Sequence, residues 1–156
     1  MDWRDRLIIW SAPILAFLRM GPPAPKRWLR QPKEDNCAHT VIAMLTGRSL
    51  ADVIRTAGRD GPLSVSESLA VLSSFGLRCR PLSSAFAADF WPMFQRRAGG
   101  RRLRGLAFRL SAPGERHGHA YLLFGSRYYD PATGTFARLD AASIRRFDWI
   151  ALLPPF

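Results

Sequence analysis

The chemically soft groups of this chain are few: two cysteines, Cys37 and Cys79, and three histidines, His39, His117 and His119. Cys37 follows Asp35-Asn36 and opens a run to Leu45 whose apolar positions suit a buried helix. A sulfur at a helix start feels the positive end of the peptide dipoles. That favours the thiolate, the nucleophilic form. His119 enters the apolar stretch Ala120-Tyr121-Leu122-Leu123, where strand backbone would hold its ring firmly. Asp130 ends the next stretch, and Gly125-Ser126 between them reads as a hairpin turn. That register makes Asp130 a cross-strand neighbour of His119, where a carboxylate fixes the imidazole tautomer and stabilises the imidazolium. Gln31, upstream of Cys37, can reach over the sulfur and donate to a developing oxyanion, with the Cys37 backbone N–H as the second donor. Each residue also has a plainer use: an inert buried cysteine, a half-exposed strand histidine, an Asp-Pro turn initiator and a loop glutamine. His117 reads as a solvated loop residue, and His39, two residues past Cys37, as pointing elsewhere on the helix.

Order and spacing together carry more than any one residue. Gln31-Pro-Lys-Glu-Asp-Asn-Cys37-Ala-His-Thr-Val-Ile-Ala-Met-Leu-Thr-Gly47, then Gly118-His119-Ala120-Tyr121-Leu122 and Asp130-Pro131, resemble the papain-like cysteine peptidases. The branch most similar is that of the bacterial double-glycine leader peptidases of bacteriocin exporters. The resemblance runs from about Gln31 to Pro131. It implies Cys37 as nucleophile, His119 as general base and acid, Asp130 as orienter and Gln31 as oxyanion donor. Many members place a glycine after the cysteine, where this chain has Ala38-His39. No exporter membrane domain accompanies the sequence, so a role inside an exporter is not expected.

The implied chemistry is acyl transfer through a thioester, with a protein or peptide as substrate. The same constellation serves a toxin or effector that deamidates glutamine, or a transglutaminase-like enzyme. A third reading is a non-catalytic basic binding module on the same scaffold, supported by Arg96, Arg97, Arg101, Arg102 and Arg104. No cofactor is expected. Cys37-x-His39 is not a usual zinc spacing, so no metal is expected either.

The elements that must position these groups can be read from pattern. Gly47 stops the Cys37 helix, with Asp35 or Asn36 as its N-cap. Ser49 caps a helix over Leu50–Ala57, followed by Gly58; Ser64 or Ser66 caps a third running to about Phe75, followed by Gly76. Residues 77–81 read as a strand and 85–97 as a helix broken near Pro92. Strands follow over 103–110, 120–124, 127–129 and 136–139, then a short helix at 140–146 and a last strand at 149–153. Helices first and an antiparallel sheet after make an α+β arrangement of the papain-like kind. Phe90, Trp91 and Phe94 either line a cleft or pack in the core.

The chain has 156 residues, which suits one domain over 26–156 preceded by an apolar arm over 1–25. The run Leu7 to Leu18 is too short to span a bilayer. It reads as a segment packed on the domain, with weak membrane contact next, and no small-residue cleavage site follows to make it a signal peptide. Net charge is +11, almost all of it from arginine. Such a surface suits an acidic partner, although an arginine-rich composition also follows from a GC-rich genome. Nucleic acid is not expected, because aromatics are not interleaved with the arginines. Two cysteines make no disulfide framework, which places the chain in the cytoplasm or among secreted effectors.

Overall fold

Helix α1 (Cys37–Thr46) is the axis of the structure, and its composition explains why. Nine of its ten residues, Cys37 to Leu45, are buried, so it is apolar on nearly every side. Gly47 ends it in the left-handed conformation at φ 69°, its N–H returning to the Ala43 carbonyl. The computed structural model describes residues 25, 27–97 and 103–153. Most of the predicted arm, residues 1–24, the basic turn at 98–102 and residues 154–156 lie outside the described residues.

Two helices brace α1. In α2 (Leu50–Ala57) the Ser49 hydroxyl accepts the Asp52 N–H and Gly58 closes the end at φ 74°. In α3 (Val65–Ser74) Ser64 and Glu67 form a reciprocal capping box. Then come β1 (Arg80–Ser83), α4 (Ser84–Asp89) and α5 (Trp91–Arg97). The expected strand at 77–81 thus starts three residues later and the expected helix at 85–97 divides in two. Its break falls at Phe90, ahead of Pro92, because proline fits the first turn of α5 but not a helix interior.

The rest is sheet: β2 (Arg104–Arg109), β3 (His119–Phe124), β4 (Arg127–Asp130), β5 (Thr135–Arg138), the short α6 (Ala141–Ile144) and β6 (Trp149–Leu152). The six strands run in the order β1-β6-β2-β3-β4-β5, every pair antiparallel. Period-two alternation sorts their side chains into two cores. Leu106, Phe108, Ala120 and Leu122 join α1, α2 and α3 on one face. Ala107, Leu123, Ile150 and Leu152 join α4, α5 and α6 on the other. Trp91 and Phe94 belong to this second core, whereas Phe90 is exposed and stacks on Phe86. None of the three lines the cleft described below.

Among the described residues no helix is long and apolar enough to cross a membrane. The basic cluster is not one solvated patch. Arg104 is buried, its guanidinium turned to the Leu45 carbonyl at 3.5 Å, because the alternation of β2 sends it inward. Arg96 is exposed, and Arg101 and Arg102 lie outside the described residues.

Candidate active site

The start of α1 is left electrically bare. Asn36 occupies the N-cap position, yet its side chain makes no capping bond and no acidic residue stands in the first turn. The Asn36 amide is drawn away instead, donating to the Asp60 carboxylate at 2.7 Å. Asp60 also takes the Lys33 ammonium, and these two bonds, Lys33 first, hold its carboxyl below the usual range. The expected cap by Asp35 or Asn36 therefore does not form. No side chain caps the first turn of α1, the turn that begins with Cys37.

Cys37 is 6% exposed, enclosed by the first core on most sides. Its open side faces a cleft of about 370 Å³ that it shares with His117 and His119. One wall is the α1 start with Pro62 to Val65; the other is the end of β2 and the entry to β3. A second cavity of about 440 Å³ adjoins it, sharing Arg109, His117, Gly118 and His119 and adding Glu34, Glu115 and Arg116.

His119 stands between its two partners. Its Nε2 meets Asp130 Oδ1 at 2.8 Å. The Cys37 thiol lines the same cleft and is the other group that acts on the imidazole. Burial alone would lower the imidazole's proton affinity. The influence of Cys37 and then of Asp130 outweighs burial and holds it above the ordinary value. Asp130 Oδ1 also accepts the Ala132 N–H at 2.8 Å, which locks the carboxylate in place. The β3–β4 ladder stops at Leu122 opposite Tyr129, so the same count sets Asp130 across from Tyr121. The His119–Asp130 bond is thus a diagonal across the hairpin, within reach of two long side chains.

Further residues hold the imidazole. The Tyr121 ring meets it edge-on, centroids 4.5 Å apart. Arg109, which borders the same cleft, is paired with Glu115 at 2.9 Å. Gly118 must be glycine, since a Cβ there would strike the Arg109 carbonyl oxygen. Tyr121, Arg109 and His117 carry no motif of their own. His117, expected in solvent, is half-buried and borders both cavities because β2 passes so close behind Gly118.

Gln31 is held by a strap. Trp28 packs among Phe124, Tyr129 and Phe136, the Tyr129 hydroxyl donates to the Leu29 carbonyl at 3.1 Å, and the Gln31 N–H reaches the Pro131 carbonyl at 2.9 Å. The strap ties the segment before the nucleophile to the end of β4. The Gln31 amide donates to the Glu34 carbonyl at 2.9 Å and does not line either cavity.

The other soft groups stand apart. His39 is fully buried, its Nε2 donating to the Arg59 carbonyl at 3.1 Å, and burial lowers its affinity for a proton. Burial pushes the Cys79 thiol up to about 12. Among the described residues no three His, Cys, Asp or Glu side chains are grouped to hold a metal.

No protein-family model matches the sequence, and no curated protein matches it. A solved structure does match the fold: a double glycine motif protease from an AMS/PCAT transporter, in complex with a leader peptide. The two superpose with a TM-score of 0.56 over 87% of this chain and 97% of that one, at 15% identity. Helices lead into an antiparallel sheet in this chain, and the fold is the papain-like α+β arrangement.

Proposed function

We propose that this chain is a cysteine hydrolase that cleaves a peptide or amide bond through a thioester on Cys37. One observation carries the reading. An imidazole bonded to a carboxylate lines the same cleft as a cysteine at the start of a buried helix.

The roles follow from the atoms. His119 Nδ1 takes the Cys37 proton, and the sulfur attacks a carbonyl carbon in the cleft. Asp130 keeps the second proton on Nε2, which leaves Nδ1 aimed at the sulfur, and it stabilises the imidazolium that forms. The carbonyl oxygen, now an oxyanion, takes the Cys37 backbone N–H; the Gln31 amide becomes the second donor only by leaving the Glu34 carbonyl and turning into the cleft. His119 then gives its proton to the leaving amine. Water, deprotonated by the same imidazole, releases the acid and the thiol.

The fold likeness supports a peptide substrate, since the matched protease was solved with a peptide bound. Incubating the chain and its Cys37→Ala variant with a diverse peptide mixture, read by mass spectrometry, tests the reading. New peptide termini that appear only with the unaltered chain are expected. A mass change on glutamine without cleavage would reassign the chain as a deamidase. No Cys37-dependent product of either kind would refute hydrolysis.

A further inference from the structure

In a chain of net charge +11, carboxylates have no shortage of cationic partners. Among the described residues, seven acidic side chains stand in ion pairs, and Asp148 accepts the Leu110 N–H at 2.7 Å. Of the acidic residues described, only Glu34 and Asp35 show neither hydrogen bond nor ion pair on their carboxylates. Both border the cleft: Asp35 lines the cavity that holds Cys37, and Glu34 the adjoining one. Lys33, the cation next to them in sequence, is bound to Asp60.

The proposed chemistry distinguishes the two cavities. The acyl part of a substrate becomes bonded to the sulfur, so it lies in the cavity that contains Cys37. The leaving amine takes its proton from His119, on the side where the second cavity begins. Asp35 therefore faces the acyl group. The same cavity is lined by the half-buried Leu63 and the exposed Leu110. A long aliphatic stem ending in a positive charge fits such a wall, with its stem on hydrocarbon and its head on the carboxylate.

We infer that the cleft selects an acyl group bearing a cationic side chain, an arginine or lysine laid along Leu63 and Leu110 with its head on Asp35. This rests on the cysteine-hydrolase reading and names the substrate class for it.

Peptidyl acyloxymethyl ketones test the inference without a known substrate, because they present an acyl group to the nucleophile and alkylate it. Pairs would carry arginine or citrulline, its uncharged near-isostere, at either of the two positions next to the ketone. The full-length chain should be alkylated about tenfold faster by the arginine reagent at one position in low salt, the size of a charge-assisted hydrogen bond. In Asp35→Asn that ratio should fall close to one, and in Asp35→Glu it should stay above one. Each ratio takes the citrulline reagent as its own reference, so a general loss of reactivity cancels. A ratio near one in the unaltered chain, or one that survives in Asp35→Asn, overturns the inference. Iodoacetamide supplies the second arm. If it labels Cys37 faster than Cys79 while the ratio fails, only the substrate class falls; if it does not favour Cys37, the hydrolase reading falls and this inference with it.

Discussion

Replacing Asp130 by asparagine removes a charge while sparing a hydrogen bond, and the site's geometry says how much should change. Asp130 Oδ1 accepts both His119 Nε2–H and the Ala132 N–H, each at 2.8 Å. An amide oxygen can keep both bonds in nearly the same place. What is lost is the charge-assisted part of the bond, worth about 1–1.5 kcal/mol as the difference between a charged and a neutral hydrogen bond. The His119 and Asp130 side chains are only 15% and 22% exposed, so solvent screens little of it. The Asp130 charge is one of the causes that hold the imidazole's proton affinity up, so its removal lowers that affinity. Less imidazolium means less of the sulfur in its ionised, paired form at neutral pH. Alkylation of Cys37 by iodoacetamide near pH 7 should slow about tenfold, the rate equivalent of that energy. With iodoacetate, an anion drawn by the imidazolium, the alkaline decline of the rate should move to lower pH. An unchanged iodoacetamide rate, or a decline displaced to higher pH, would refute the assigned role of Asp130.

Other outcomes follow from neighbouring groups. Gln31→Ala should cut turnover of a cleaved peptide about a hundredfold, as loss of one oxyanion donor does, while leaving the iodoacetamide rate on Cys37 nearly unchanged. Equal losses in both assays would make Gln31 structural. Gly118→Ala sets a methyl against the Arg109 carbonyl, so urea unfolding should show a loss of about 1–3 kcal/mol, with slower Cys37 labelling. His39 binds a proton less readily when folded than its ordinary 6.5, because burial opposes its charge. Its contribution to stability is therefore present above pH 6.5 and is lost as pH falls through that value toward the lower folded one. His119 has the opposite sign, its contribution being present below 6.5 and lost as pH rises through the higher folded value. Unfolding free energy should then peak near neutrality, and His39→Gln should flatten only the acid side; an unaltered acid slope would contradict the assignment.

The elements that carry the site were readable because their signals are local. Cys37 to Leu45 announces a helix by apolar spacing, with Gly47 marking its end, and Leu50–Ala57 by Ser49 and Gly58, all as found. The hairpin around Gly125-Ser126 was legible for the same reason, and with it the approach of His119 to Asp130. What pattern could not supply was competition between partners. Asn36 looks like a cap, but Asp60, distant in sequence, draws its amide away. Arg104 looks like one of several surface arginines until strand alternation turns it into the core. His117 and Tyr121 meet the catalytic candidates only because β2 and β3 pair closely behind Gly118, a tertiary fact with no local signature.

The central claim is that the Cys37 sulfur shares a proton with His119, and competitive labelling measures it most directly. Both cysteines are free, and burial pushes the Cys79 thiol up to about 12, which makes it the internal reference. Limiting iodoacetamide near pH 7, followed by peptide mapping, should find nearly all the label on Cys37, and His119→Ala should slow Cys37 labelling at least about tenfold while the Cys79 rate stays the same. Equal labelling of the two cysteines, or a Cys37 rate that is unchanged in His119→Ala, would contradict the account.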